Sequence, residues 1–234
     1  VISFKHLLLA GCFAFSLSGP AFAKDPYVTS AMVDIATLMP PPPAKGSPAE
    51  AADMQAVLDA QTHATDARKA QALADSKENI HVVFDSVLGD TFATATLPKT
   101  TKLFERIGDS ESATLDAAKP VFGRQRPWIA NTAVKAYAEP SKSPSYPSGH
   151  TTRVTLDAIV MAAMIPEKQT EIWARANDYA ESRVIGGMHY PTDIQAGQRS
   201  GTAIAAAMFE QPNFKTDLEA AKTELRTALG LAGK

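Results

Sequence analysis

The segment Ser145-Tyr146-Pro147-Ser148-Gly149-His150-Thr151 breaks the chain at a proline and a glycine. It then runs on from 151 to 165 with apolar residues at Val154, Ala158, Ile159, Ala162 and Ile165. That spacing is close to the period of a helix packed along one face. Ser148 stands where an N-cap belongs, and Gly149 lets the backbone come close to whatever lies at the helix start. Read outward from there, the chain predicts further helices over residues 49–75, 79–88, 102–118, 168–184, 193–209 and 214–229. Few β-branched alternations interrupt them, so the expected fold is all-α, a single-domain helical bundle. Its site is expected on helix ends and the loop 127–146. Gly197, Ser200, Gly201 and Ala205 recur at helical spacing and predict a close helix crossing.

With 234 residues and a 45% hydrophobic share, the chain has material for one core and no sign of a second catalytic domain. Its amino terminus reads differently. Lys5, an apolar run from Leu7 to Leu17, Gly19-Pro20 and Ala21-Phe22-Ala23 have the form of a secretory signal peptide over residues 1–23, cut after Ala23. That leader predicts a periplasmic protein. Leu9-Ala10-Gly11-Cys12 offers the alternative of a lipid anchor at Cys12. Residues 24–48, with prolines at 40–43, read as an extended arm ahead of a helical domain over 49–234, and such an arm suits a homo-oligomer contact. Past the leader there is no apolar run of about 18 residues, so no membrane span is expected. The formal charge of −2 carries no general attraction for nucleic-acid polymers.

Three short blocks carry the chemistry: Lys119 with Arg126-Pro127, then Pro147-Ser148-Gly149-His150, then Ser182-Arg183 with His189 and Asp193. Arg126 and Arg183 offer planar bidentate donation to an oxyanion, and Lys119 a point charge. If 151–165 is helical, its first free amides point at the same anion, and the Ser148 hydroxyl caps the helix or donates to a phosphate oxygen. With His150, His189 and Asp193, this is the inventory for holding a tetrahedral oxyanion and transferring it through a histidine. No Asp-x-Asp or His-x-His pair accompanies the blocks, so no metal or other cofactor is expected, and turnover should survive a chelator. His63 and His81 read as structural, and Trp128 as a packing residue. Pro120 directly after Lys119 is at odds with a helix through that point.

Eleven identities stand at set offsets, with six residues between Lys119 and Arg126, five between Arg183 and His189, and three between His189 and Asp193. In this the sequence resembles the phosphatidic-acid-phosphatase type 2 (PAP2) superfamily. Within it the chain is most similar to the bacterial class A non-specific acid phosphatases, through 145–151 and the Leu38-Met39 step into the proline run. The resemblance implies that His189 is the nucleophile and forms a phosphohistidine, that Asp193 holds its other nitrogen, and that His150 protonates the leaving oxygen. It implies phosphate binding by Lys119, Arg126, Ser148, Gly149 and Arg183. Arg124, Tyr146 and Ser182 stand at or next to the motif; Arg124 and Tyr146 are candidates to widen the anion pocket or meet the leaving group. The expected ligands are soluble phosphomonoesters, with inorganic phosphate or vanadate as pocket ligands, and mildly acidic pH is expected to favour turnover. Two other readings use the same residues: a vanadate-dependent haloperoxidase, and a phosphate-binding protein with no catalysis.

Overall fold

The helix that follows Ser148, α8 (Gly149–Met164), is buried on several sides, at Val154, Leu156, Ala158, Val160, Met161 and Met164. A helix apolar nearly all round belongs at the centre of a bundle. The computed structural model describes residues 24–94, 96–137 and 141–232; the expected leader, with Val1 and Cys12, lies outside them. Around α8 pack α6 (Pro98–Phe122), α9 (Gln169–Ile185), α10 (Pro191–Phe209) and α11 (Pro212–Ala228), while α2 (Pro48–His63), α3 (Asp66–Ala74) and α4 (Ile80–Leu88) lie against α9. Short helices α1 (Ile35–Leu38), α5 (Asp90–Thr94) and α7 (Pro127–Ala130) complete the set, with a 3-10 turn at Pro166–Lys168. Among the described residues there is no strand, and the fold is all-α. None of the described helices is long and apolar enough to cross a membrane.

Local chemistry explains where the helices differ from expectation. The stretch 49–75 is two helices, because Thr65 accepts a hydrogen bond from the Arg68 amide at 3.2 Å and starts α3 afresh after Ala64 turns extended. A new cap outweighs the average propensity of an Ala- and Gln-rich run. In α6 the helix runs through Pro120 to Phe122; the proline removes one bond, to the Asp116 carbonyl, and the helix ends three residues later at Gly123 in the left-handed conformation.

Residues 24–48 are not a free extended arm. Tyr27, Val28, Val33, Ile35 and Met39 are buried in the main core, and the Tyr27 ring meets Phe214 edge-on at 5.1 Å. Apolar residues ahead of the prolines supply the reason: they have a core to enter. The proline run has no regular secondary structure, and the Tyr146 hydroxyl holds it by donating to the Pro40 carbonyl at 2.6 Å.

The close helix crossing lies between α8 and α10. A Cβ at Gly197 would stand 2.8 Å from the Ser148 carbonyl oxygen, and one at Gly201 2.8 Å from the Thr152 carbonyl oxygen. Backbone cannot yield as a side-chain tip can, so Gly201→Val is expected to force the helices apart at a cost of about 2–3 kcal/mol. A urea denaturation midpoint unchanged from wild type would contradict this.

Candidate active site

The two helices that cross so closely also begin together. The Ser148 amide donates to the Asp193 carbonyl at 3.1 Å, which fastens the start of α8 to the first turn of α10. Ser148 caps α8 by accepting from the Thr151 amide at 3.3 Å. The amides of Gly149 and His150 therefore stand ahead of the helical ladder, where an anion is favoured.

Three cations converge on this point. Lys119, in the last turn of α6, has its Nζ 3.7 Å from where a Gly149 Cβ would stand and 3.4 Å from the Pro144 carbonyl. Arg126, just before α7, donates through Nε to the Ser143 carbonyl at 2.9 Å and through Nη1 to the Met188 carbonyl at 3.1 Å. Arg183, in the last turn of α9, donates to the Asp75 carbonyl at 3.3 Å, and its Nε has no hydrogen-bond partner among the described residues. Their exposures are 7%, 4% and 3%, so these charges are taken out of water together. Burial, and then the Arg183 charge, bring Arg126 down to about 10. Burial and then Arg126 lower Lys119, and burial lowers Arg183. Buried like charges held together favour a multiply charged anion among them.

The spacing from Arg183 to His189 has a geometric cause. After α9 the chain turns through Gly187 at φ +72°, where a Cβ would stand 2.5 Å from the Lys135 carbonyl oxygen. The His189 amide then donates back to the Arg183 carbonyl at 3.2 Å. His189 is fully buried, with Nε2 3.2 Å from Arg126 Nη1 and Nδ1 3.4 Å from Asp193 Oδ2, an approach rather than a formed hydrogen bond. Burial, then Arg126, Lys119 and Arg183, hold its pKa well below 6.5, which favours the neutral ring. The His150 ring lies 6.4 Å from that of His189 and is depressed likewise, by burial first and then by Arg183.

Arg124, Tyr146 and Ser182 take other places than the anion pocket. Arg124 donates to Asp193 Oδ1 at 2.6 Å and to Asp53 Oδ2 at 2.7 Å, and lies 3.8 Å over the Tyr190 ring. It is a clamp between two carboxylates, with a further bond to the Thr192 hydroxyl at 2.8 Å. Tyr146 is turned to the proline run, and Ser182 donates to Asp75 Oδ2 at 2.6 Å. Burial raises the Asp193 pKa and Arg124 opposes it. Arg124→Met leaves Asp53 and Asp193 without their shared cation and is expected to cost about 3–5 kcal/mol, read from thermal or urea melts. A loss below about 1 kcal/mol would show that the clamp carries little.

Asp53, Asp75 and Glu78 were not singled out in the sequence, and each touches a motif residue. Asp53 anchors Arg124, Asp75 anchors Ser182 and Arg183, and Glu78 Oε1 stands 3.1 Å from His150 Nδ1. Each lies far along the chain from its partner, in a stretch with no motif. His63 and His81 lie elsewhere: His63 Nδ1 is 2.8 Å from the Asp59 carbonyl and His81 Nδ1 3.1 Å from that of Phe92. Trp128 packs on the small cluster of Val57, Val134, Val184 and Tyr190.

The PAP2 superfamily model matches residues 110–217, which span every motif residue from Lys119 to Asp193. An acid phosphatase of Zymomonas mobilis is 31% identical over 196 residues, covering 80% of this chain and 74% of that protein. A non-specific acid phosphatase of Salmonella typhimurium is 30% identical over 204 residues, covering 84% and 82%. One of Providencia stuartii is 29% identical over 241 residues, covering 94% and 97%. With likeness of this extent on the fold and cation cluster just described, the chain belongs to the PAP2 superfamily and has acid phosphatases as its relatives.

Proposed function

We propose that this protein is an acid phosphatase that hydrolyses soluble phosphomonoesters through a phosphohistidine on His189. One observation carries the reading: Arg126, a buried anion donor, stands 3.2 Å from Nε2 of a buried histidine whose other nitrogen faces a buried carboxylate. Lys119, Arg126, Arg183 and the amides of Gly149 and His150 receive the phosphoryl oxygens, and their charge is offset as the anion enters. His189 Nε2 attacks phosphorus in line. As the N–P bond forms, the P–O ester bond breaks and His150 gives its proton to the leaving oxygen. Water then attacks phosphorus, His150 takes the proton from it, the N–P bond breaks, and inorganic phosphate leaves. Asp193 steadies the positive charge on the His189 ring in both steps.

The depressed pKa of His189 favours a neutral nucleophile as pH falls; burial and the cations depress His150 as well, so the proton it needs for the first step is restored by the phosphate anion, whose charge offsets those cations. Activity therefore declines as pH rises out of the mildly acidic range. An alcohol in place of water at the second step gives phosphotransfer as a side activity. Vanadate, a tetrahedral oxyanion of the same kind, is an inhibitor on this reading, and export through residues 1–23 puts the enzyme in the periplasm. The relatives, all named acid phosphatases, favour this over the haloperoxidase reading.

The test is single-turnover hydrolysis of a chromogenic aryl phosphate near pH 5 to 6 with chelator present, followed by assay of acid-labile phosphate on the protein. Turnover with trapped phosphoenzyme supports the proposal. No turnover would sink it, and bromide oxidation by peroxide after vanadate loading would then identify the haloperoxidase.

A further inference from the structure

His150 is set among groups that oppose its protonated form. From α9 comes Arg183, from the turn before α10 comes His189, and Arg126 and Lys119 add their charges; the Tyr179 ring stacks on the imidazole at 6.4 Å. Against these stands Glu78, in the loop between α3 and α4, with Oε1 3.1 Å from His150 Nδ1. Among the described residues it is the one carboxylate within ion-pair distance of this ring.

We propose that Glu78 is the positioning residue of the proton donor, holding His150 through Nδ1 so that Nε2 faces the leaving oxygen. This rests on the reading of His150 as the general acid. A carboxylate that accepts from Nδ1–H settles which nitrogen carries the exchangeable proton and stabilises the imidazolium before it is spent. The arrangement mirrors the pair on the other side of phosphorus, where Asp193 faces Nδ1 of His189 at 3.4 Å. The two carboxylates differ in burial. Asp193 is fully buried, whereas the Glu78 side chain is 45% exposed and lines a polar cleft of about 620 Å³ together with Lys24, Glu111 and Arg153. That difference suits their tasks, because His189 stays in one charge state until phosphorus is bonded, whereas His150 exchanges a proton with substrate and water in every cycle. Glu78 connects the inner histidine to solvent.

The readout is dependence on the leaving group. An aryl phosphate leaves as a stable phenolate and needs little proton transfer, whereas an alkyl phosphate such as glycerol phosphate needs nearly all of it. Glu78→Gln, full length and assayed at several pH values, is expected to lose at least about tenfold more kcat/KM on the alkyl ester than on the aryl ester. The alkaline limb of its alkyl profile is expected at lower pH than in wild type. A merely structural loss would lower both esters alike, and that result, or no loss on either, would overturn the proposal. His150→Ala is run beside it. If that variant loses equally on both esters, the general-acid reading itself fails; if it discriminates and Glu78→Gln does not, only the role of Glu78 fails.

Discussion

His189→Ala is expected to lower aryl phosphate turnover by about 10⁴-fold or more and to abolish acid-labile phosphate on the protein. The size follows from what the residue does: it makes the covalent bond, so its loss removes a pathway rather than one contact. Anion binding should persist. Arg126 keeps its hydrogen bonds to Ser143 and Met188 without His189, and Lys119 and Arg183 do not rely on that ring for theirs. Inorganic phosphate should therefore still raise the melting temperature of the variant, and at 100 times Kd the stabilisation is about 2.7 kcal/mol. That measurement also shows that the variant is folded. Turnover within tenfold of wild type would remove His189 from the chemistry.

Substitution at Arg126 should have the next largest effect. Arg126→Lys retains a charge but gives up a planar fork that meets Ser143 twice, Met188 once and His189 Nε2. A loss of about 10²–10³ in kcat/KM is expected, the usual result of removing one donor from a developing oxyanion. Arg126→Met adds a test of sign. Arg126 is the first-ranked charge holding the His189 pKa down, after burial. Without it the ring protonates at higher pH, so the acid limb of kcat/KM moves upward and activity is lost earlier on acidification. An acid limb that stays in place or moves to lower pH would contradict the electrostatic account of the nucleophile.

Helices and motif residues were legible in the sequence because both depend on short-range rules. Apolar spacing placed α8 within two residues of its ends, and Gly197 and Gly201 announced the crossing that only residues without a Cβ permit. The motif offsets have local causes too. Six residues place Lys119 in the last turn of α6 and Arg126 beyond its end, five carry the chain from Arg183 around Gly187 to His189, and three return Asp193 to His189 on the first turn of α10.

Proximity to the motif did not disclose the partners of Arg124 and Tyr146. Arg124, two positions from an anion donor, bonds both Asp193 and Asp53, a pairing that no offset in the chain announces. The sequence by itself determined an all-helical chain and a set of cations and histidines able to handle an oxyanion. Only the tertiary structure decided which carboxylate serves which cation or histidine: Asp53 with Arg124, Asp75 with Arg175, and Glu78 with His150. Those partners come from helices and loops tens of residues away, so their pairing leaves no period or spacing in the chain.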